Sequence, residues 1–330
     1  MDIRSEIDRF RNEWNGSSSC IRIHTSGSTG KPKDILLPKK LMRNSALRTI
    51  DFFGITPESH LHLILSPEYI AGKMMILRSM ISGCVLTCEN PSNDPSLNEN
   101  AIDLIAAVPS QVRQIIENNR FDRQRTRLLI GGSAIPLSTR QLIAEEGINA
   151  YESYGMTETA SHVALRKITS DPDMPFTLLK GITASAGNDG SLHLESADFD
   201  LHTTDIVEMT GPDSFRYLGR KDMAIVCGGL KIHPEQLENK LSALFPTMLS
   251  EGSFAVTSLP DDKWGEIPVL AIEKASFADG ISERLQQSAS WKELGYSRPK
   301  KISVIGEIPL TGNGKINRPL LRERVAQLLK

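Results

Sequence analysis

Short apolar runs alternate with helical patterns along the first half of the chain. Six apolar runs bounded by turn residues predict β-strands at 21–24, 34–38, 61–65, 84–88, 104–108 and 127–132. Between them, apolar residues recur with a helical period at 39–53, 71–81, 109–119 and 136–147. This alternation predicts an α/β fold in which helices cover a parallel sheet. Because right-handed crossovers place the loops after the strands along one edge, we expect ligands to bind there.

The pattern changes after about residue 180. Polar and apolar residues then alternate on both sides of an Asn-Asp-Gly turn at 188–190, which predicts an antiparallel meander. Strand-like and helix-like segments are mixed again from residue 223 to residue 330. That segment is long enough for a second, smaller domain. We therefore expect a core domain at 1–222 and a C-terminal domain at 223–330.

The composition is that of an ordinary globular protein. The 330 residues are 39% hydrophobic and 24% charged with a net charge of −2, which indicates neither nucleic acid nor an acidic membrane as partner. No apolar run approaches the length of a membrane span. The first 16 residues predict an amphipathic helix rather than a signal peptide. Four cysteines lack a C-x-x-C pair, and we expect buried, reduced thiols in a cytoplasmic protein: Cys20, Cys84, Cys88 and Cys227.

One loop after the first predicted strand consists almost only of Thr, Ser, Gly and Lys. It reads TSGSTGKPK from Thr25 to Lys33. Glycines let a backbone approach an anion closely, and exposed N–H groups, hydroxyls and lysines then hold phosphate. The spacing differs from that of a P-loop, since Pro32 follows Lys31 where that motif has Ser or Thr. From this stretch alone, a phosphate site and a flexible surface loop both remain open.

Six further motifs stand at predicted strand ends or turns. They are GGSAIP (131–136), YESYGMTETASH (151–162), HTTD (202–205), YLGRKD (217–222), VCGGLKIHPEQLE (226–238) and PLTGNGKINR (309–318). Each motif has a purely structural alternative. Lys315 would be a solvated lysine beside an Asn-Gly hairpin turn, and Asp205 would cap a turn at a strand end. Glu158 would satisfy backbone donors, and Tyr154 would belong to the core.

In this order the motifs resemble those of the adenylate-forming superfamily, which includes acyl- and aryl-CoA synthetases, firefly luciferase and peptide-synthetase adenylation domains. TSGSTGKPK resembles its phosphate loop, SYGMTET its adenine and magnesium motif, TTD its T-G-D motif and YLGRKD its hinge segment. CGGLKIHPEQLE and PLTGNGKINR resemble its two tail motifs, the second with the catalytic lysine. The resemblance runs from about residue 20 to the C-terminus. It implies a large mixed α/β nucleotide-binding domain and a small, mobile α+β C-terminal domain.

The resemblance also implies ATP, Mg²⁺ and coenzyme A as ligands, and it assigns a role to each motif. Around the phosphates it places Thr25, Ser26, Gly27, Ser28, Thr29, Gly30 and Lys33, with Thr157 on the α-phosphate and Glu158 on Mg²⁺. Around the nucleoside it places Gly131, Gly132, Ser133, Tyr154, Gly155, Asp205 and Arg220. Lys315 would bridge the substrate carboxylate and the α-phosphate. Rotation about Asp222 would then exchange Lys315 for the Gly228–Gly229 turn beside a thiol nucleophile.

The sequence departs from the family pattern at three places. Only 24 residues precede the phosphate loop, so we expect an N-terminal lobe of the family to be absent. Asp34 stands where the family commonly has Gly, close to the expected phosphates. Thr204 replaces the Gly of T-G-D. The lysine, the magnesium acid and the ribose acid are all retained, so we expect a working enzyme.

The segment SYGMTETASHVALR resembles o-succinylbenzoate–CoA ligases of menaquinone biosynthesis, in which an aromatic diacid is activated at one carboxylate. The other carboxylate needs a cationic partner, and Lys73, His162 and Arg166 are candidates, each with a solvated surface cation as the alternative. Tyr69 would lie beside the acyl group. Two further hypotheses stay open: an adenylation domain that loads a carrier protein, and a non-catalytic nucleotide-binding module. The sequence leaves open whether the chain forms a homo-oligomer.

Overall fold

The computed structural model describes residues 2–25, 33–97, 101–118, 121–169, 171, 173–249, 252–276, 280–311 and 316–329. The chain divides into two compact units. Unit one comprises residues 1–185, 193–202 and 209–216, and unit two comprises residues 186–192, 203–208 and 217–330. The continuous part of unit two thus begins close to the domain boundary expected at residue 222.

Unit one contains the alternating strands and helices. Its helices are α1 (Ile3–Asn15), α2 (Lys39–Phe53), α3 (Ile70–Ser82), α4 (Pro109–Asn118) and α5 (Leu137–Glu145). Its strands are β1 (Cys20–Thr25), β2 (Lys33–Pro38), β3 (His60–Leu63), β4 (Val85–Cys88), β5 (Leu104–Ala107), β6 (Arg127–Ile130), β7 (Asn149–Gly155), β8 (His162–Lys167) and β9 (Phe176–Leu178).

A parallel sheet forms the centre of unit one, as the alternation predicted. Its strands follow the order β9-β8-β7-β6-β5-β3-β4, in which β4 to β7 pair in parallel and β8 and β9 are antiparallel. Strands β5 and β6 pair from Leu104–Arg127 to Ala107–Ile130, so they end side by side. The Gly131 N–H donates to the Ala107 carbonyl (3.1 Å) and continues this pairing past the strand end. The loops after β5, β6 and β7 therefore meet at one edge.

The first predicted strand does not belong to this sheet. Strands β1 and β2 form a separate antiparallel hairpin, paired from Cys20–Pro38 to Thr25–Lys33. The expectation that the TSGSTGKPK loop follows a strand of the parallel sheet is therefore wrong. Both strands have the apolar alternation of an antiparallel pair, which local periodicity cannot separate from a short parallel strand.

Buried aliphatic side chains hold the helices of unit one on the sheet. One core cluster joins Ile105 of β5, Leu128 and Ile130 of β6, Val112 of α4 and Ile143 of α5, all fully buried. Helix α1 buries Ile3, Ile7 and Phe10 at helical spacing, which confirms the amphipathic pattern of the N-terminus. Within the described residues, no helix is both long enough and apolar enough to cross a membrane.

Strands β10 (Thr183–Ala186), β11 (Ser191–Glu195), β12 (Asp200–Gly211) and β13 (Ser214–Arg220) form the predicted meander, and the two units share its residues. Unit two continues with β14 (Ile225–Cys227), β15 (Leu230–Ile232), β16 (Phe254–Asp261), β17 (Gly265–Glu273) and β18 (Lys301–Ile305). Its helices are α6 (Pro234–Leu244), α7 (Ile281–Gln287), α8 (Ala289–Glu293) and α9 (Arg318–Leu328).

A second sheet and its own core build unit two. The strands follow the order β15-β14-β17-β16, with β18 pairing in parallel on β17. Leu241 of α6, Leu321 of α9 and Trp291 of α8 join the buried cluster of this sheet. All four cysteines are free thiols, but only Cys84 and Cys227 are buried, so the expected burial of the other two is wrong.

Candidate functional site

The loop after β6 lies close to the end of β7. Ser153 Oγ donates to the Ile130 carbonyl (3.1 Å), which fixes this hydroxyl under Gly131. A Cβ atom at Gly131 would lie only 2.3 Å from Ser153 Oγ, and Gly132 has φ +98°, a conformation that favours glycine. Gly132 is exposed and Ser133 half-exposed. The loop thus presents bare backbone to solvent at the predicted ligand edge.

The turn after β7 is fixed by hydrogen bonds around Thr159. Its buried hydroxyl lies 3.1 Å from the donating Met156 N–H and 2.6 Å from the Ser161 carbonyl. Ala160 is fully buried with φ +63°, a conformation that costs a non-glycine residue of order 1–3 kcal/mol. A Cβ atom at Gly155 would lie 2.4 Å from the Ser161 carbonyl oxygen. The turn therefore tolerates little adjustment.

Thr157 and Glu158 occupy the outer side of this turn. They lie in a 3-10 turn from Thr157 to Thr159, and Glu158 is exposed. Glu158 makes no hydrogen bond or ion pair with any residue that the structure describes. The alternative in which Glu158 satisfies backbone donors is therefore not observed. A fixed backbone carries a carboxylate whose oxygens are available to a ligand.

Tyr154 is 9% exposed and packs in an aromatic cluster. Its ring centroid lies 5.1 Å from that of Phe215 and 5.8 Å from that of Phe176. The edge-to-face contact with Phe215 and the tilted contact with Phe176 are typical of a core aromatic residue. They agree with the structural alternative for Tyr154, and its contact with adenine stays a prediction.

A buried polar network connects His162 to Arg78. The Thr49 hydroxyl donates to the Ser45 carbonyl (3.2 Å), so His162 Nε2 is the donor in its 3.0 Å contact with Thr49. Nδ1 of the same ring then accepts from Ser161 Oγ (3.2 Å). Arg78 Nη2 donates to Ser161 Oγ (3.1 Å) and completes the network. A neutral imidazole satisfies both ring nitrogens.

Arg78 is the functional candidate that the sequence analysis missed. It is 2% exposed, and among the described residues it has no carboxylate partner, while its Nε has no hydrogen-bond partner at all. Burial lowers its pKa to about 9. Burying a cation without an anion is costly, so such a residue marks a place where an anion is expected. Its sequence signal was a charged residue inside the largely apolar pattern of α3, a signal that Lys73 of the same helix shares.

His162 predicts a measurable pH dependence of stability. Burial first, and then the charge of Arg78, hold the pKa of His162 well below its usual value. In the unfolded chain the ring titrates near its ordinary value of about 6.5, so the unfolded state binds a proton that the folded state does not. This contribution to stability is complete above that pH and is lost as the pH falls below it.

We therefore expect the unfolding free energy of the unmodified protein to fall more steeply below pH 6.5 than that of His162→Gln, by up to about 1.4 kcal/mol per pH unit. Urea unfolding at several pH values measures both slopes. Equal m-values for the two proteins serve as the control. Parallel curves would show that the ring binds its proton equally in both states.

The other three candidates for the acyl pocket, Lys73, Arg166 and Tyr69, each have different contacts. Lys73 is 8% exposed, and its Nζ lies 5.3 Å from the ring centroid of Phe10 in α1. Arg166 Nε donates to buried Glu152 (2.7 Å). Tyr69 is 52% exposed at the start of α3. Lys73, His162 and Arg166 are therefore not the solvated surface cations of the structural alternative.

In unit two, Asp205 lies within a charged cluster. It is half-exposed in the middle of β12, so the expectation of a strand end was wrong, and the turn-cap alternative is excluded with it. Burial, then the charges of Glu235 and Asp205, raise the pKa of Tyr217. The Asp222 hydrogen bond, and more weakly the charge of Asp205, raise the pKa of Arg220. Asp205 therefore lies close enough to Tyr217 and Arg220 to act on both.

The hinge and thiol-side motifs have well-defined geometry. Arg220 donates from Nε and Nη2 to the two carboxylate oxygens of Asp222, both at 2.8 Å. Gly228 and Gly229 connect β14 and β15 with φ +58° and +84°, as the double-glycine motif predicted. A Cβ atom at Gly228 would lie 2.6 Å from the Trp264 ring, so this turn cannot accept a side chain without moving that ring.

Several predicted site residues lie outside the described residues. They are Ser26, Gly27, Ser28, Thr29, Gly30 and Lys315, together with the side chains of Thr25 and Lys33. Asp34, beside them in sequence, forms an exposed ion pair with Arg22 of β1 (3.4 Å).

The family model described as "AMP-binding enzyme" matches residues 6–182. The chain belongs to the AMP-binding enzyme family. The match includes the turn of Thr157 and Glu158 and the network of Arg78 and His162. The motifs of unit two, from Asp205 onward, lie beyond the matched region and depend on the sequence resemblance.

Relatives of this AMP-binding enzyme include ligases and synthetases. The structure of an acyl-CoA synthetase (AMP-forming)/AMP-acid ligase II-like protein from Dyadobacter fermentans is 30% identical, with a TM-score of 0.61, and covers 99% of this chain and 95% of that chain. A 2-succinylbenzoate–CoA ligase of Listeria monocytogenes is 27% identical over 94% of this chain and 71% of its own length. The o-succinylbenzoate CoA synthetase of Bacillus subtilis, in complex with its acyl-adenylate intermediate, is 21% identical, with a TM-score of 0.76, over 91% of this chain and 68% of its own. The chain thus has the mixed α/β fold of this family and spans 68% of the length of that synthetase.

Proposed function

We propose that the protein is an AMP-forming acid–thiol ligase that works in the cytoplasm. In the first reaction, a substrate carboxylate attacks the α-phosphate of ATP, the bond to the β-phosphate breaks, and pyrophosphate leaves. In the second, the thiol of coenzyme A attacks the acyl-adenylate carbonyl, and AMP leaves as a thioester forms. The observation that carries this proposal is the Glu158 carboxylate on the fixed turn after β7, which pairs with none of the residues that the structure describes.

Glu158 suits a magnesium ion that arrives with ATP. Mg²⁺ prefers carboxylate and phosphate oxygens and keeps several waters, so one protein carboxylate is enough to hold it. Glu158 is exposed and free of described partners, and the Gly131–Gly132 loop, which follows the adjacent parallel strand β6, exposes backbone at the same edge of the sheet. We propose that Thr157 contacts the α-phosphate from the same turn. Donors fixed before the reaction stabilise the charge that develops on the transferring group.

The second unit supplies the remaining proposed contacts. Asp205 accepts hydrogen bonds from the ribose hydroxyls, and Arg220 supports the ribose or a phosphate. Lys315 bridges the carboxylate and the α-phosphate. We propose that rotation at Asp222 then removes Lys315 and brings the Gly228–Gly229 turn beside coenzyme A.

For the acid, we propose o-succinylbenzoate. Relatives of the chain in Listeria monocytogenes are 2-succinylbenzoate–CoA ligases, which supports an aromatic diacid. Such a substrate keeps one carboxylate after activation. Arg78, with Ser161 and His162, provides a buried positive charge without a described anion, and this charge favours a substrate that carries one.

Pyrophosphate release tests this function. The assay contains ATP, Mg²⁺ and one acid at a time: o-succinylbenzoate, benzoate, succinate or a fatty acid. We expect release with o-succinylbenzoate, and o-succinylbenzoyl-CoA when coenzyme A is added. If none of these acids gives pyrophosphate release, the non-catalytic alternative is supported. If the thioester forms on a carrier protein and not on coenzyme A, the carrier protein is the acceptor.

Asp205 gives a specific prediction for ATP binding. Asp205→Asn keeps the size of the side chain but removes the charge that accepts the ribose hydroxyls. A hydrogen bond to a charged group contributes about 1.5–3 kcal/mol, so we expect the KM for ATP to rise about 10- to 100-fold. Initial rates of pyrophosphate release against ATP concentration measure it. Glu208→Gln, an exposed acid on the same strand, is the matched control. An unchanged KM for ATP would remove Asp205 from the ribose site.

A further inference from the structure

Two histidines and an aspartate converge on the β11–β12 hairpin, within unit one. His193 Nε2 lies 2.6 Å from Asp200 Oδ1, and the rings of His193 and His202 stack at 3.9 Å between centroids and 9° between planes. One coordinating atom from each residue lies within 4.8 Å of the others. The proposed ligase reaction uses none of these three side chains.

The hairpin that carries the three residues is anchored to helix α2. Asp198, in the turn between the two strands, has a side chain only 2% exposed. Its carboxylate accepts from Asn44 Nδ2 (2.8 Å) and Arg48 Nη2 (3.0 Å). Within the turn, Ser196 N–H donates to the Phe199 carbonyl (2.9 Å). The backbone that positions the cluster is therefore fixed before any ligand arrives.

The two rings can turn their nitrogens toward a common ligand. Imidazole lone pairs lie in the ring planes, so at least one ring must rotate out of the stack before a nitrogen of each faces the same cation. The Asp200 carboxylate beside them supplies a negative charge. Two imidazole nitrogens and one carboxylate oxygen form a ligand set that suits zinc and related divalent transition metals.

We propose that His193, Asp200 and His202 bind a zinc-type divalent ion. Tetrahedral coordination with bonds of about 2.0–2.1 Å places ligand atoms roughly 3.3 Å apart. The ligand atoms now lie within 4.8 Å of one another, and side-chain rotations that open the ring stack on the fixed backbone would bring them to this separation. Glu195, whose Oε1 lies 4.0 Å from His193 Nε2, or a water molecule completes the fourth position. The ion would join the two strands of the hairpin across their exposed face.

Zinc titration of the full chain tests the site. The protein carries no polyhistidine tag, is stripped with a chelator and is desalted into buffer with millimolar Mg²⁺, which occupies sites made of carboxylates alone. Competition with a chromogenic chelator gives the affinity and stoichiometry. Co²⁺ is a second probe, since its visible d–d bands report four-coordinate geometry. The variants are His193→Gln, His202→Gln and Asp200→Asn, with Asp213→Asn, an exposed acid in the next turn, as the matched control.

We expect one zinc ion per chain in the unmodified protein and in Asp213→Asn. Each histidine variant should lose at least about tenfold in affinity and lose the four-coordinate Co²⁺ spectrum. Circular dichroism confirms that the variants are folded. Unchanged zinc affinity in both histidine variants, or complete displacement of zinc by millimolar Mg²⁺, would overturn the proposal. Neither readout depends on ligase activity, so failure here is distinct from failure of the proposed function.

Discussion

Replacing Lys315 by alanine is expected to slow acyl-adenylate formation by about two to three orders of magnitude and to leave thioester formation from supplied acyl-adenylate intact. The adenylation transition state brings the negative charges of a carboxylate and a phosphate together. A lysine between them stabilises that charge, and loss of one such preorganised group typically costs this factor. In the second reaction Lys315 has moved away under our proposal, so its loss should not matter there.

The described residues on both sides of Lys315 are firmly held. Leu310 and Ile316 form an antiparallel bridge, and Asn317 N–H donates to the Pro309 carbonyl (2.7 Å). Arg318 donates from Nη1 and Nη2 to Glu238, both at 2.9 Å. These contacts do not involve the Lys315 side chain, so the alanine variant should stay folded.

Measuring the two half-reactions separately distinguishes catalysis from misfolding. Pyrophosphate release reports adenylation, and thioester formation from synthetic acyl-adenylate reports the second step. Lys292→Ala, an exposed lysine in α8, is the matched control and should preserve both rates. If both rates of Lys315→Ala fall together, or neither falls, Lys315 is not the adenylation lysine. In that case the proposed exchange of domains is wrong as well.

Local sequence signals predicted most elements of unit one. Helix α2 was predicted at 39–53 and spans Lys39–Phe53, because Pro38 precedes it and Gly54 ends it with φ +60°. The parallel strands β5 and β6 were short apolar runs bounded by turns. The β1–β2 hairpin was missed because the partner of a strand depends on contacts that local periodicity does not contain.

The candidate site, like the fold, was predicted from the sequence only in part. Motif positions placed Glu158 and Gly131 at the ends of β7 and β6, since loops after parallel strands follow from topology. The position of Asp205 in mid-strand, and the burial of His162 against Arg78, depend on tertiary packing. A charged residue within a helical apolar pattern, as Arg78 is, was the available signal. It has functional meaning only once the partners of the guanidinium are known.

Glu158→Gln gives the second large effect that we expect. The amide keeps the shape of the side chain and removes the charge that would hold Mg²⁺ between the phosphates. We expect adenylation to slow by about 10²- to 10³-fold at a fixed Mg²⁺ concentration. We also expect higher Mg²⁺ to recover part of the rate, because a weakened metal site fills by mass action. Pyrophosphate release measured against Mg²⁺ concentration tests both expectations.

Stability separates this effect from damage to the turn. Because Glu158 is exposed and has no described partner, Glu158→Gln should change the unfolding free energy by less than about 0.5 kcal/mol. Glu145→Gln removes another exposed carboxylate, at the end of α5, and should change neither rate nor stability. A slow Glu158→Gln variant whose rate does not respond to Mg²⁺ would contradict the metal role. If Glu158→Gln forms the acyl-adenylate at the normal rate, Glu158 takes no part in the chemistry. The turn that carries it would then serve only to connect β7 with β8.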